Sequence, residues 1–157
     1  FVGVPPLARR RAHGSPDNYR SDAMVTSTVR LDWIKEQIFL LRDRNGSPVV
    51  MSQTGGVSGS DLLAMGLIGC TAWDVIGVMR KQRQEVTSFE IIAECDQDDD
   101  PPWRYRRIRV RYRLVGKNLE EDKIERAIAL SESKYCSIYA TLRETVEITS
   151  EYECANE

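Results

Sequence analysis

The stretch that decides the fold is Ser60–Gln84, "SDLLAMGLIGCTAWDVIGVMRKQRQ". It is apolar on almost every side until Arg80, and no proline interrupts it. This pattern predicts a helix over about Gly59–Lys81 that lies inside a globular domain rather than on its surface. Ser58 and Asp61 stand three residues apart before the apolar run, and this spacing predicts a capping box at the start of the helix.

One face of this helix combines glycines with chemically distinctive side chains. Residues three, four or seven positions apart share a helix face, which here carries Gly66, Cys70, Trp73, Asp74 and Gly77. A glycine inside a helix costs about 1 kcal/mol relative to alanine, so we expect another backbone to pack closely on this face. The partner is another helix of the chain or the same helix of a second subunit. Cys70 has two interpretations, a small core residue or a reactive thiol.

A β-meander is predicted before the helix. Apolar and polar residues alternate from Val25 to Trp33, which indicates a half-buried strand. Two more strands are predicted at about Glu36–Arg42 and at Pro48–Ser52. Asn45–Gly46 between them is a strong hairpin signal, because both residues tolerate the positive φ angles of a tight turn.

The second half of the chain continues with strands and one amphipathic helix. Asn118 and Glu121 are expected to cap that helix, which should end near Lys134. The predicted strands of this half are Val86–Cys95, Trp103–Val115 and Glu144–Tyr152. The order βββ-α-ββ-α-β predicts an α+β fold, an antiparallel sheet with helices packed on one face.

Length and charge limit the classes of protein that this chain can represent. At 157 residues it is one domain by size. The net charge of −2 does not indicate a polyanionic partner. Residues 1–23 lack periodicity and are expected to be an expression-derived or disordered tail, with Met24 as the native start and the domain over 24–157. Without a secretory signal or a long uncharged run, the sequence predicts a cytoplasmic protein that does not bind a membrane.

Cysteine and histidine usage excludes several kinds of site. Cys70, Cys95, Cys136 and Cys154 form no CxxC pair, which argues against a zinc knuckle or a disulfide scaffold. The only histidine, His13, lies in the N-terminal tail, which argues against Cys-His or Ser-His catalysis and against a histidine-rich metal centre. The sequence therefore predicts neither a metal nor a cofactor.

The strand "WRYRRIRVRYRLV", Trp103–Val115, carries arginines at every second position. Such a basic stripe is compatible with nucleic-acid binding. The alternative is an outward sheet face whose arginines pair with glutamates on the neighbouring strands. Because the net charge is slightly negative, the second interpretation is favoured and a nucleic-acid partner is not expected.

Three segments together carry a family resemblance. They are the helix quoted above, "VGKNLEEDKIERAIALSESKYCS" at 115–137 and "VEITSEYE" at 146–153. The chain resembles the OsmC/Ohr superfamily, in its OsmC-like branch with "KYCS", over 24–153. The resemblance implies a thiol-dependent peroxidase with an OsmC-like fold, in which antiparallel sheets wrap two central helices in an intertwined homodimer. The glycine-bearing face of the first helix is the surface that such a dimer would need.

The resemblance also implies roles for individual residues. Cys70 maps to the peroxidatic cysteine and Cys136 to the resolving cysteine. Organic hydroperoxides are the implied substrates, and a dithiol such as a lipoyl protein is the implied reductant. Supporting and thiolate-stabilising candidates are Asp61, Asp74, Arg42, Arg44 and Arg143, because family peroxidases use an arginine held by an acid at the helix head. The alternative is an OsmC-fold protein that binds a small ligand or senses redox state without efficient peroxidase activity.

Overall fold

A computed structural model of the protein describes residues 25–157, so the predictions for 1–23 and for Met24 lie outside the described residues. These residues form ten elements in the order β1 Arg30–Lys35, β2 Ile38–Arg42, β3 Pro48–Met51, α1 Asp61–Lys81, β4 Glu85–Gln97, β5 Tyr105–Lys117, α2 Glu121–Leu130, a π-helical turn Ser131–Tyr135, α3 Ser137–Leu142 and β6 Glu147–Asn156. The order confirms the predicted α+β class. The short helix α3 is an addition to the predicted elements.

The first sheet is the predicted meander, with strand order β1-β2-β3 and antiparallel pairing throughout. Gly46 has φ +86°, which is why a glycine is needed in the hairpin turn. The Asp43 carboxylate accepts hydrogen bonds from the backbone N–H groups of Asn45 and Ser47. The first strand begins at Arg30 rather than at residue 25, because Arg30 pairs with Arg42, the last residue of β2.

Both predicted helix caps are wrong. Ser60, not Ser58, is the residue before α1, its backbone is itself helical, and no side chain caps the helix start. The Ser58 hydroxyl instead pairs with that of Ser60. At α2 the residue before the helix is Glu120 rather than Asn118, which adopts φ +52° in the preceding turn. Serine and asparagine also favour turns, and here the turns take these residues.

The second sheet has the order β4-β5-β6 and is mixed rather than antiparallel. β4 and β5 pair antiparallel, as expected, but β5 and β6 run parallel. The prediction of purely antiparallel sheets is therefore wrong at the last strand. The reason is the connection: α2, the π-helical turn and α3 cross over between β5 and β6, and a parallel pair requires such a crossover.

The core lies between this sheet and the helices. Alternate residues of β5 point inward and are buried with residues of α1 and α2: Ile108, Val110, Tyr112 and Leu114. The arginines on the opposite face pair with acids of both neighbouring strands, in the pairs Arg107–Glu147, Arg109–Glu94, Arg111–Glu151 and Arg113–Glu90. This confirms the ion-paired interpretation of the arginine stripe.

α1 is only partly covered by the chain's own elements. It packs against β4, α2 and α3, but only 28% of its most apolar stretch is buried. By length and composition alone this helix would be able to cross a membrane. Met65 and Trp73 are exposed on it, and Trp73 has 84% of its surface free. The β1–β2–β3 sheet also exposes large apolar side chains, Trp33 among them.

Candidate functional site

The Cys70 side chain lies near the middle of α1, on the side that faces α2 and α3, and is half-buried. One turn earlier, Gly66 allows α3 to approach closely, since a Cβ atom at Gly66 would lie 3.2 Å from the Ile138 Cδ1. The predicted close packing on the glycine face is therefore present at Gly66, and the partner there is α3 of the same chain. Gly69 and Gly77 face open space.

Cys136 lies at the bend between the π-helical turn and α3. Its backbone N–H donates to the Ser131 carbonyl at 2.8 Å, which closes the π-helical turn. Its sulfur accepts a hydrogen bond from the Tyr139 backbone N–H at 3.3 Å and lies 3.8 Å from the oxygen of the Thr71 hydroxyl, which donates to the Leu67 carbonyl at 2.8 Å. Only 2% of Cys136 is exposed. Local backbone geometry thus holds this sulfur against α1.

The fold brings three chemically active side chains together. The sulfurs of Cys70 and Cys136 and a carboxylate oxygen of Asp74 all lie within 4.8 Å of one another. Asp74 is one helical turn after Cys70, and its Oδ2 accepts a hydrogen bond from the buried Ser131 hydroxyl at 3.2 Å. Two thiols at this distance are close enough to form a disulfide after a small movement. The same three atoms are also of the types that bind metal ions.

The surroundings of Cys70 favour its neutral thiol form. Burial, hydrogen bonding with Cys136 and the negative charge of Cys136 raise the pKa of Cys70 to about 11, with Asp74 adding a smaller contribution in the same direction. The Ile138 backbone amide lies close enough to Cys70 to oppose this shift. Each of these effects acts on the charged form, which desolvation and nearby negative charge disfavour.

The other predicted site residues lie elsewhere in the described chain. Asp61 is exposed at the start of α1, where its charge acts on Cys95 and Tyr105. Arg42 ends β2 and Arg44 lies in the β2–β3 turn, whereas the elements that pack most extensively on α1 are α2, β4 and α3. Arg143 is exposed just after α3 and acts on Tyr139. Within these residues, the charges with the largest effects on Cys70 are those of Cys136 and Asp74.

Sequence reasoning missed the residues that hold the site in place. Ser131 and Thr71 are buried and contact Asp74 and Cys136, respectively, through their hydroxyls. A hydroxyl side chain at a buried position of a helix is the available signal, because it must find a partner. Thr71 directly follows Cys70 on α1, but its contact with Cys136, 65 positions away, depends on the tertiary fold.

An apolar groove runs beside the cysteines. It has a volume of about 290 Å³ and lies between α1 and α3. Its lining includes Leu62 and Gly66 from α1 and Ile138 and Leu142 from α3. The groove reaches Gly66, one helical turn before Cys70, and Ile138, two residues after Cys136, so it ends close to the two cysteines although neither lines it.

The chain matches one protein family and is similar to several known proteins. The family described as OsmC-like protein matches residues 52–151. Protein YhfA of Escherichia coli K12 is 29% identical over 128 residues, which are 80% of this chain and 96% of YhfA. A hypothetical protein of Aquifex aeolicus VF5 superposes with a TM-score of 0.78 at 28% identity, over 85% of this chain and 99% of that one.

A more distant structure extends the likeness in fold. The organic hydroperoxide resistance protein OhrB of Bacillus subtilis superposes with a TM-score of 0.56 at 17% identity, over 83% of this chain and 100% of that one. The family match covers well over half of the chain and includes both clustered cysteines. This chain is a member of the OsmC-like protein family.

Proposed function

We propose that the protein is a thiol-dependent peroxidase that reduces organic hydroperoxides through a Cys70–Cys136 disulfide. The observation that carries this proposal is the pair of sulfurs within 4.8 Å of each other, one half-buried and the other buried behind it. A disulfide requires an S–S distance of about 2.05 Å, so the two side chains need to approach further during the reaction. Membership of a family with hydroperoxide resistance proteins among its structural relatives supports the same chemistry.

Cys70 acts first because it is the more exposed of the two sulfurs. Its thiolate attacks the O–O bond of the hydroperoxide, forms a sulfenic acid and releases the alkoxide, which takes up a proton to become an alcohol. The Cys136 thiolate then attacks the Cys70 sulfur, the S–O bond breaks, and the hydroxide leaves as water after protonation. A dithiol reductant restores both thiols and is itself oxidised to a disulfide.

The groove beside Cys70 favours an apolar hydroperoxide as the substrate. Leu62, Ile138 and Leu142 line it, so an alkyl or aryl group gains free energy by leaving water there. The peroxide end of the substrate would then point toward the Cys70 sulfur. Hydrogen peroxide has no apolar group to place in the groove, and we expect it to be the poorer substrate.

The working unit is proposed to be a homodimer in the cytoplasm. α1 leaves Met65 and Trp73 exposed, and the β1–β2–β3 sheet leaves Trp33 exposed. A second copy of the chain offers complementary apolar surfaces of the same kind. All four cysteines are free thiols, which suits a reducing compartment.

A second candidate function is redox sensing on the same pair of cysteines. It is favoured by the raised pKa of Cys70, since a thiol with few neighbours that stabilise its charge reacts slowly with peroxide. A sensor would form the disulfide once per oxidative event, whereas a peroxidase turns over many times. The two functions are separated by measuring turnover with excess reductant.

The experiment is consumption of cumene hydroperoxide by the reduced protein with excess dithiothreitol or dihydrolipoamide. The proposal predicts many turnovers per chain and none in Cys70→Ser. Cys95→Ser is the matched control, because Cys95 is also half-buried but lies away from the site, and it is expected to retain wild-type turnover. Full turnover by Cys70→Ser would exclude the peroxidase proposal, and a single oxidation without turnover would favour the sensor.

A further inference from the structure

We propose that Cys70, Asp74 and Cys136, in their reduced form, bind one Zn²⁺ ion or a similar soft divalent metal. This inference does not depend on peroxidase activity. It departs from the prediction of no metal, which rested on histidine content and on local spacing such as CxxC. The site is instead assembled by the fold, from two residues one turn apart on α1 and a third that is 62 positions further along the chain.

The three ligand atoms have the identities and separations that a tetrahedral zinc site needs. Zinc binds cysteine sulfur at about 2.3 Å and carboxylate oxygen at about 2.0–2.2 Å, so ligand atoms around one ion lie about 3.6–3.8 Å apart. The two sulfurs and the Asp74 oxygen already lie within 4.8 Å of one another. Small side-chain rotations therefore suffice to close the site. The two sulfur ligands favour zinc over magnesium or calcium, which prefer oxygen.

Two of the three ligands also receive a hydrogen bond from outside the cluster. Ser131 donates to the Asp74 carboxylate, and the Tyr139 N–H donates to Cys136. Donors of this kind orient metal ligands and favour their anionic forms. The Ser131 hydroxyl, which is completely buried, thus fixes the direction of the carboxylate toward the two sulfurs.

The charge of the cluster also favours a bound cation. Once both thiols have lost their protons, two thiolates and a carboxylate carry three negative charges, and the charged neighbours with the largest effects on Cys70 are Cys136 and Asp74. A divalent cation reduces this to a single negative charge. Three protein ligands leave a fourth position open, which is the arrangement of zinc sites that exchange water or a small ligand. Because Cys70 is half-buried rather than sealed, water has access to that position.

Metal binding and disulfide formation exclude each other at this site. Each thiol loses its proton to solvent when it binds the ion, and both thiolates must be present. In the disulfide the two sulfurs are bonded to each other and neither is a thiolate. Only Asp74 then remains as an anionic ligand. The site therefore takes up metal when reduced and releases it when oxidised.

The test uses the full-length reduced protein without air and Co²⁺ as a spectroscopic probe. One Co²⁺ per chain should produce a sulfur-to-cobalt charge-transfer band and the intense visible bands of a tetrahedral site. Zn²⁺ should abolish both, and competition against a chromophoric chelator gives its affinity. Asp74→Asn should weaken Zn²⁺ binding at least about tenfold, a loss that alterations of metal sites typically cause. Cys95→Ser and Cys154→Ser are matched controls and should bind like the wild type.

Three results would overturn the proposal. They are the absence of a charge-transfer band, equal binding by the wild type and Asp74→Asn, and equal binding by the reduced and disulfide forms. Circular dichroism of Asp74→Asn shows whether that variant is folded. Cys70→Ser removes another of the three proposed ligands and serves as a second variant. The outcome is distinct from that of the peroxidase assay, because binding is measured without hydroperoxide or reductant turnover.

Discussion

The pH dependence of Cys70 reactivity tests the electrostatics of the site. The pKa of Cys70 is raised from 9.0 to about 11, mainly by burial and then by Cys136. At neutral pH the thiolate fraction is therefore about one hundredth of that of an unperturbed cysteine. Peroxide attack requires the thiolate, so the rate of the first step should keep rising far into alkaline conditions.

The most informative interval lies between about pH 9 and pH 10. There the thiolate fraction of Cys70 should rise about tenfold, whereas that of a thiol with a pKa of 9.0 rises less than twofold. The assay is alkylation by iodoacetamide in a Cys95→Ser, Cys154→Ser background, with the Cys70 peptide quantified by mass spectrometry. A plateau of Cys70 alkylation near pH 9 would refute the electrostatic account of this site.

Two substitutions separate the causes of the shift. Cys136→Ala removes the hydrogen bond and the charge that raise the pKa of Cys70, so Cys70 should alkylate faster at alkaline pH. Asp74→Asn removes a smaller contribution and should accelerate alkylation less. The reverse order of the two effects would show that the carboxylate, not the second thiol, dominates.

Two further predictions concern the fold and the assembly. Gly116→Ala should lower the free energy of unfolding by about 1–3 kcal/mol in urea titrations, because its Cβ would lie 2.1 Å from the Glu85 carbonyl oxygen. Gly55→Ala is the control and should have little effect, because a Cβ there would have no atom within 4 Å. Equal stabilities of these two variants would contradict the packing at Gly116. The double variant Trp73→Glu, Met65→Glu should be monomeric in light scattering, because both side chains are exposed and apolar on α1. A dimer that persists in this variant would place the interface elsewhere.

Periodicity predicted the parts of the fold that depend on residues close together in the sequence. The alternation in β5 is local, and it gave both the buried face and the outward arginines, which pair with glutamates as expected. The parallel pairing of β6 depends on a crossover of three helical segments, and no local pattern in Glu147–Asn156 distinguishes it from an antiparallel strand.

The same difference between local and long-range contacts applies to the site. Asp74 was predicted to share a face with Cys70 because a helix fixes that spacing, and the two residues are indeed neighbours. Ser131 and Thr71 were missed because their contacts join segments that are far apart in the sequence. Arg42, Arg44 and Arg143 are the candidates for the arginine that the resemblance implies, but the charged groups with the largest effects on Cys70 in the described chain, Cys136 and Asp74, both disfavour its thiolate.

The most direct measurement of the central claim is disulfide mapping after one equivalent of cumene hydroperoxide is added to the fully reduced protein. Tryptic peptides analysed without reduction should contain one new cross-link, between Cys70 and Cys136, and the same treatment of Cys136→Ser should leave a trappable sulfenic acid on Cys70. Oxidation confined to Cys95 or Cys154, with Cys70 and Cys136 still reduced, would contradict the account.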